Sequence, residues 1–152
     1  MPKSLVEVAG EPLVAHQLRL LARQEITDIV ICAGHLGEQI VEYVGDGARF
    51  GCSVQYSFDG ARQLGTGGAL RKAMPLLGER CFVMYGDSYL PTRFVPVLRA
   101  FGDAGLPALM TVFRNEAATT PAISNSRMAA SSATTRSIAR RPCSISTTAC
   151  RS

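Results

Sequence analysis

From Glu11 to about Glu116, short apolar runs alternate with segments of helical period, and few folds accommodate that alternation. Glu11-Pro12 opens a helix whose Leu13, Val14, Leu18, Leu20 and Leu21 fall mostly on one side. Asp28–Ala33 reads as a buried strand ended by Gly34. A second helix over about Leu36–Val44, with Ile40, Val41 and Val44 inward, stops at Gly45-Asp46-Gly47. Val54–Tyr56 reads as a short strand, Thr66–Met74 as a helix stopped by Pro75, and Cys81–Tyr85 as another apolar strand. Phe94–Phe101 is a fourth helix, and Ala108–Phe113 is expected as the last strand. Alternation at this spacing predicts βαβ units, hence an α/β domain around a mostly parallel sheet. Such sheets bind ligands beyond the carboxyl ends of their strands. The loops after Ala33, Ser57 and Tyr85 are therefore where chemistry is expected.

After Glu116 the pattern stops. Residues 117–152 are dominated by Ala, Ser, Thr and Arg, contain no aromatic residue and follow neither hydrophobic period. A segment of this kind buries too little apolar surface to offset its ordering entropy, so it is expected to be disordered or poorly ordered. The chain thus divides into a folded part, 1–116, and a tail, 117–152. Charge divides at the same point. The first part holds eleven Lys and Arg against twelve Asp and Glu, whereas the tail holds five arginines and no acid. The formal charge of +4 belongs to the tail rather than to a folded face. Sparse arginines without aromatic neighbours for stacking on bases argue against a nucleic-acid partner. The five cysteines are an odd number without a close-spaced pair and give no zinc spacing. Cys32 and Cys81, inside apolar runs, read as small buried hydrophobes. No apolar run approaches the ~20 residues of a membrane span, and no charged-then-apolar leader opens the chain. A cytoplasmic protein without a membrane partner is the expectation.

Three short motifs have chemistry suited to a phosphate-bearing ligand. In Leu64-Gly65-Thr66-Gly67-Gly68-Ala69-Leu70, glycines allow close approach of the backbone, and amides at the following helix start can face a base or phosphate. The same run also reads as a Gly-rich turn with Thr66 as helix N-cap. Tyr85-Gly86-Asp87-Ser88 places an acid just beyond a strand, where a carboxylate suits Mg²⁺; Gly-Asp-Ser is equally ordinary turn chemistry. Lys3, after Pro2, can neutralise phosphate or can simply be solvated. His35–Ile40 reads as a helix start with Glu38 near the positive end of the helix dipole, and His16 as structural. No Ser-His-Asp arrangement or Walker A loop is present.

Taken in order, P-K-S-L-V-E-V-A-G-E-P-L, D-I-V-I-C-A-G-H-L-G-E-Q-I, G-D-G-A-R-F-G, L-G-T-G-G-A-L and Y-G-D-S-Y-L resemble the sugar-1-phosphate nucleotidylyltransferases over Met1 to about Glu116. The resemblance implies a Rossmann-like sheet with helices on both faces. It also implies a Mg²⁺-dependent reaction in which a sugar 1-phosphate attacks the α-phosphorus of a nucleoside triphosphate and pyrophosphate leaves. Positioning and charge neutralisation carry such transfers. By the same resemblance Lys3 contacts phosphate, Asp87 binds the metal, and Gly65, Thr66 and Gly67, with Gly68 beside them, lie against the nucleotide. The L-G-T-G-G run is most similar to members using mannose- or heptose-type phosphates.

The departures shape a second expectation. The family opens with a strand and a G-x-G-T-R loop upstream of Pro-Lys, and it continues with sugar-holding strands and a second metal-binding acid. None of these is recognisable here, so the sheet is expected to be incomplete and the chain weak or inactive. Read two nucleotides further along, the codons from Ala117 are compatible with a hydrophobic strand and with Y-D-K and H-I-D-Y-G patterns, which points to a frameshift near Glu116. A non-catalytic nucleotide-binding or regulatory module is the alternative reading. The identity of nucleotide and sugar, and the oligomeric state, stay open.

Overall fold

The computed structural model describes residues 1–112 and the strand at 144–148. The chain divides into two compact units, Met1–Pro91 with Ala139–Ser152, and Thr92–Ile138. The first unit carries the sheet.

It begins with a 3-10 turn at Lys3–Leu5 and a small antiparallel hairpin, β1 (Glu7–Val8) and β2 (Glu11–Pro12). Ala9 and Gly10 both adopt positive φ, 51° and 84°, as a two-residue hairpin turn of this twist requires. Helix α1 (Leu13–Ala22) follows directly and buries Val14, Ala15, Gln17, Leu18, Leu20 and Leu21. Gln17 is the one polar residue among them.

Strand β3 (Asp28–Ala33) is buried at every position after Asp28, the pattern of a strand covered on both faces. Residues two apart share a face. Val30 and Cys32 meet Ala69 and Ala73 of α3 (Gly65–Ala73), while Ile31 lies with Val14 of α1 and Ile40 of α2 (Gly37–Val44). Helix α2 ends at Gly45 (φ 63°), whose amide donates to Val41 O at 2.8 Å. Ile40 and Val44 point inward as the sequence predicts, and Val41 is half-buried. The strand expected at Val54–Tyr56 extends over Ser53–Phe58 (β4) and pairs parallel with all six residues of β3. Pro75 falls in a 3-10 turn at Met74–Leu76 that ends α3, as anticipated.

Cys81–Tyr85 forms β5, but it is not the buried run its composition predicts. Cys81 is exposed, and Val83 and Tyr85 are nearly half-exposed on the same face; Met84, pointing the other way, is buried. The reading of Cys81 as a buried hydrophobe is therefore corrected. Apolarity specified the strand but not a cover for both its faces.

Within 117–152, expected to be disordered or poorly ordered, one short segment, Ser144–Thr148, forms β6, parallel to and between β3 and β5, giving the order β4-β3-β6-β5. Ile145 pairs with Ile29 on one side and Phe82 on the other. The reason lies in the backbone. A slot one strand wide presents unpaired N–H and C=O groups on both walls, and any extended segment can satisfy them. Ile and Thr, being β-branched, favour that conformation. The rest of the tail, from Ala117 to Cys143 and beyond Thr148, lies outside the described residues.

In the second unit, α4 runs from Phe94 to Ala104, three residues longer than predicted, and stops at Gly105 in the left-handed region (φ 60°). The strand expected at Ala108–Phe113 is not formed over its described part: Ala108–Val112 pairs with no strand among the described residues. Met110 is 68% exposed while Leu109 and Val112 are only partly buried, so among the described residues this apolar run gained no ladder partner and little burial. Phe113 lies outside the described residues.

Candidate functional site

Because the four strands run parallel, the segments after β3, β4 and β5 all emerge at one edge of the sheet. Phe58 at the end of β4 registers with Ala33 of β3, and Tyr85 at the end of β5 registers through Thr148 with Cys32. β4 and β5 stand three strand spacings apart, roughly 14 Å at ~4.8 Å each.

At the β5 side, Tyr85-Gly86-Asp87-Ser88 makes a tight turn closed by Ser88 N donating to Tyr85 O at 3.1 Å. Asp87 projects from it, and Lys3 Nζ lies 3.7 Å from its Oδ2. The two residues, 84 positions apart in sequence, were singled out for different reasons, and the fold brings them together. Both are substantially exposed (50% and 37%), so the pair contributes at most about 1 kcal/mol to stability. Gln17 holds the turn from beneath, its Nε2 donating to Tyr85 O at 3.1 Å and to Ser88 O at 2.6 Å.

On the β4 side, the loop after Phe58 is ordered by two residues that sequence reasoning missed. Asp59 Oδ2 accepts from the Leu64 amide at 3.2 Å, and Lys72 Nζ reaches back from the last turn of α3 to Phe58 O and, at 3.3 Å, to Asp59 O. The signal available was only an Asp-Gly after a strand. Between this loop and the Gly34–Leu36 turn opens a polar cleft of about 350 Å³, bordered by His35, Glu38, Asp59 and Gln63. Leu36 sits there at φ 62°, a strained conformation for a bulky side chain. Glu38 occupies the first turn of α2, and His16 lies against Val8 O at 2.8 Å; both are structural placements, as the sequence suggests.

The glycine run opens α3. The N-cap position belongs to Leu64, so the alternative with Thr66 as N-cap does not hold; the chain turns helical two residues earlier, through Gly65. Its glycines are not equivalent. Gly65 has φ 67°, and a Cβ on Gly68 would stand 2.9 Å from Leu64 Cβ. Gly67 has ordinary φ and open space around it. Folding therefore demands glycine at two of the three positions and leaves Gly67 without a structural reason, at a cost of roughly 0.5–1 kcal/mol relative to alanine in a helix.

Among the described residues no group of three or more His, Cys, Asp or Glu forms a metal cage. A lone half-exposed carboxylate such as Asp87 nevertheless suits Mg²⁺, which commonly takes one or two protein carboxylates and completes its shell with water and substrate phosphates.

The parallel α/β sheet carries a Lys–Asp pair and a glycine-rich helix start at its carboxyl edge, and residues 1–122 match the sequence model of the nucleotidyl transferase family: the chain belongs to that family. An N-acetylmuramate alpha-1-phosphate uridylyltransferase of Neisseria meningitidis is 42% identical over 87 residues, covering 57% of this chain and 38% of the relative. A glucose-1-phosphate thymidylyltransferase of Streptomyces antibioticus is 36% identical over 107 residues, covering 70% and 30%. The chain thus spans well under half the length of these relatives. The crystal structure of HddC from Yersinia pseudotuberculosis complexed with GMP-PN superposes with a TM-score of 0.63 at 22% identity, covering 68% of this chain and 46% of that one, a likeness of fold.

Proposed function

We propose that this chain is the nucleotide-binding portion of a sugar-1-phosphate nucleotidylyltransferase, which joins a nucleoside triphosphate and a sugar 1-phosphate into a nucleoside diphosphate sugar with release of pyrophosphate. The juxtaposition of Lys3 and Asp87, at the sheet edge from which the Gly65–Gly68 turn also springs, carries the reading. Gly67, which folding does not require, supports it as a point of close ligand approach.

In the proposed reaction a phosphate oxygen of the sugar attacks the α-phosphorus, the bond to the β-phosphate breaks, and the electron pair leaves with pyrophosphate. The chain supplies position and charge. Lys3, now paired with Asp87, turns its ammonium to an incoming phosphate and frees the carboxylate for a cation. Mg²⁺, when bound, would withdraw charge from the phosphate oxygens. The turn at Gly65–Gly68 lays its backbone against the nucleotide. A cytoplasmic setting belongs to the same reading.

A pyrophosphate-release assay with Mg²⁺, several nucleotides and several sugar 1-phosphates tests this. Asp87→Asn is expected to lower turnover 10²- to 10³-fold, the scale of losing one transition-state charge contact. Calorimetry separates the second reading, a non-catalytic nucleotide-binding module. Binding without turnover supports the module, and no binding of any nucleotide removes both readings.

A further inference from the structure

The geometry points to Gln17 as the positioning residue for Asp87, an assignment that rests on the reading of Asp87 as the metal-binding acid. Gln17 is 1% exposed on an otherwise apolar face of α1. Burying an amide there is costly unless its hydrogen bonds are made. Its Nε2 makes two, to Tyr85 O and Ser88 O, the first and last carbonyls of the turn that presents Asp87 at its third position. The choice of nitrogen over oxygen follows from the acceptors: flipping the amide would set Oε1 against two carbonyl oxygens. One side chain thus ties both ends of a four-residue turn to a helix that is itself locked in the core. Tyr85 O is shared between Gln17 and the Ser88 amide, so the tie also reinforces the hydrogen bond that closes the turn.

The other half of the amide sharpens the argument. Among the described residues Gln17 Oε1 is buried without a hydrogen-bond partner, and so is Ser4 Oγ, which lines the same small pocket of about 10 Å³ beside Gly86. A residue kept only for stability would not leave a buried carbonyl unpaired on an apolar helix face. An apolar residue of similar length would pack there without that cost. What glutamine provides, and methionine cannot, is the pair of donors to the turn.

The test uses the full chain and three variants, Gln17→Met, Gln17→Glu and Asp87→Asn. It reads thermal midpoint, amide hydrogen exchange at Ser88, and binding of Mn²⁺ together with UTP, dTTP or GTP. Gln17→Met is expected to melt within about 2 °C of the parent, because losing two donor bonds is offset by removing an unpaired oxygen. In the same variant Ser88 exchange should accelerate at least about tenfold and Mn²⁺–nucleotide affinity fall about tenfold, a loss of ~1.4 kcal/mol in each. Gln17→Glu, which when protonated keeps a single donor, should give intermediate effects and serves if the methionine variant misfolds. Unchanged exchange and affinity in these variants, with affinity lost in Asp87→Asn, would overturn the role of Gln17 and leave the proposed function standing. If Asp87→Asn binds as the parent does, the proposed function fails, and Ser88 exchange alone then decides whether Gln17 fixes the turn.

Discussion

Strands β3 and β5 read alike as sequence, Asp-Ile-Val-Ile-Cys-Ala and Cys-Phe-Val-Met-Tyr, yet they reach different environments in one parallel sheet. Every residue of β3 after Asp28 is buried, with α3 on the Val30 and Cys32 face and α1 and α2 near Ile31. In β5 the face of Cys81, Val83 and Tyr85 is open, Val83 at 45% and Tyr85 at 47%. The difference teaches that an apolar run specifies a strand, whereas the cover that makes it a core strand comes from helices placed elsewhere in the chain. It also separates duties. The β3 side holds the domain together, and the β5 side, less encumbered, carries the Lys3–Asp87 pair.

If that division is right, truncations should cost unequally. Leu18→Ala, in the fully buried face of α1, is expected to lose about 2–5 kcal/mol in denaturant unfolding. Val83→Ala, on the open face of β5, should lose under about 1 kcal/mol, since little apolar area leaves the interior. Equal losses would erase the comparison. Between these extremes lies β6. Ser146→Pro removes one ladder donor from a strand paired on both sides, at Val30 and Val83, and should cost about 1–3 kcal/mol. A variant as stable as the parent would mean that the sheet does not depend on that strand. Gly67→Ala has the opposite sign. Stability should rise by roughly 0.5–1 kcal/mol while nucleotide affinity falls, and a rise in both would remove Gly67 from the proposed site.

Much of this was legible in the sequence, for identifiable reasons. Short apolar runs marked β3 to β5 and helical periods marked α1 to α4, because chain-local patterning follows the element type. Lys3 and Asp87 were both singled out, though nothing in the sequence measures their 3.7 Å approach. Gln17 was passed over, although a lone polar residue in phase with Val14, Leu18 and Leu21 was a readable sign of a buried polar contact. Asp59 and Lys72 gave no comparable sign, because their partners are backbone atoms whose position only the fold decides. Strand β6 was missed for a different reason: ladder bonds belong to the main chain, so a polar Ser-Ile-Ser-Thr-Thr segment can enter a sheet without a hydrophobic pattern to announce it. Ala108–Val112 failed the other way, apolar enough to be a strand but without a strand partner among the described residues.

The smallest effect expected belongs to the surface, where Arg19 of α1 grips Glu11 of β2 with both terminal guanidinium nitrogens, one at 2.8 Å. The hydrogen bond from Arg19 holds the Glu11 carboxyl below its usual range, against a partial opposing effect of desolvation. A carboxyl whose folded-state pKa is depressed adds stability above its unfolded value, about 4.3, and loses that contribution as pH falls through the folded value. Glu11→Gln should therefore differ from the parent in denaturant midpoint at pH 7 and converge with it near pH 3. The hairpin is an exposed attachment to α1 rather than part of the sheet, so the difference at pH 7 should stay below that of any core truncation. A gap that persisted unchanged into acid would mean that Glu11 acts through packing rather than through its charge. The β1–β2 hairpin would then belong with the packed core rather than with the surface of α1.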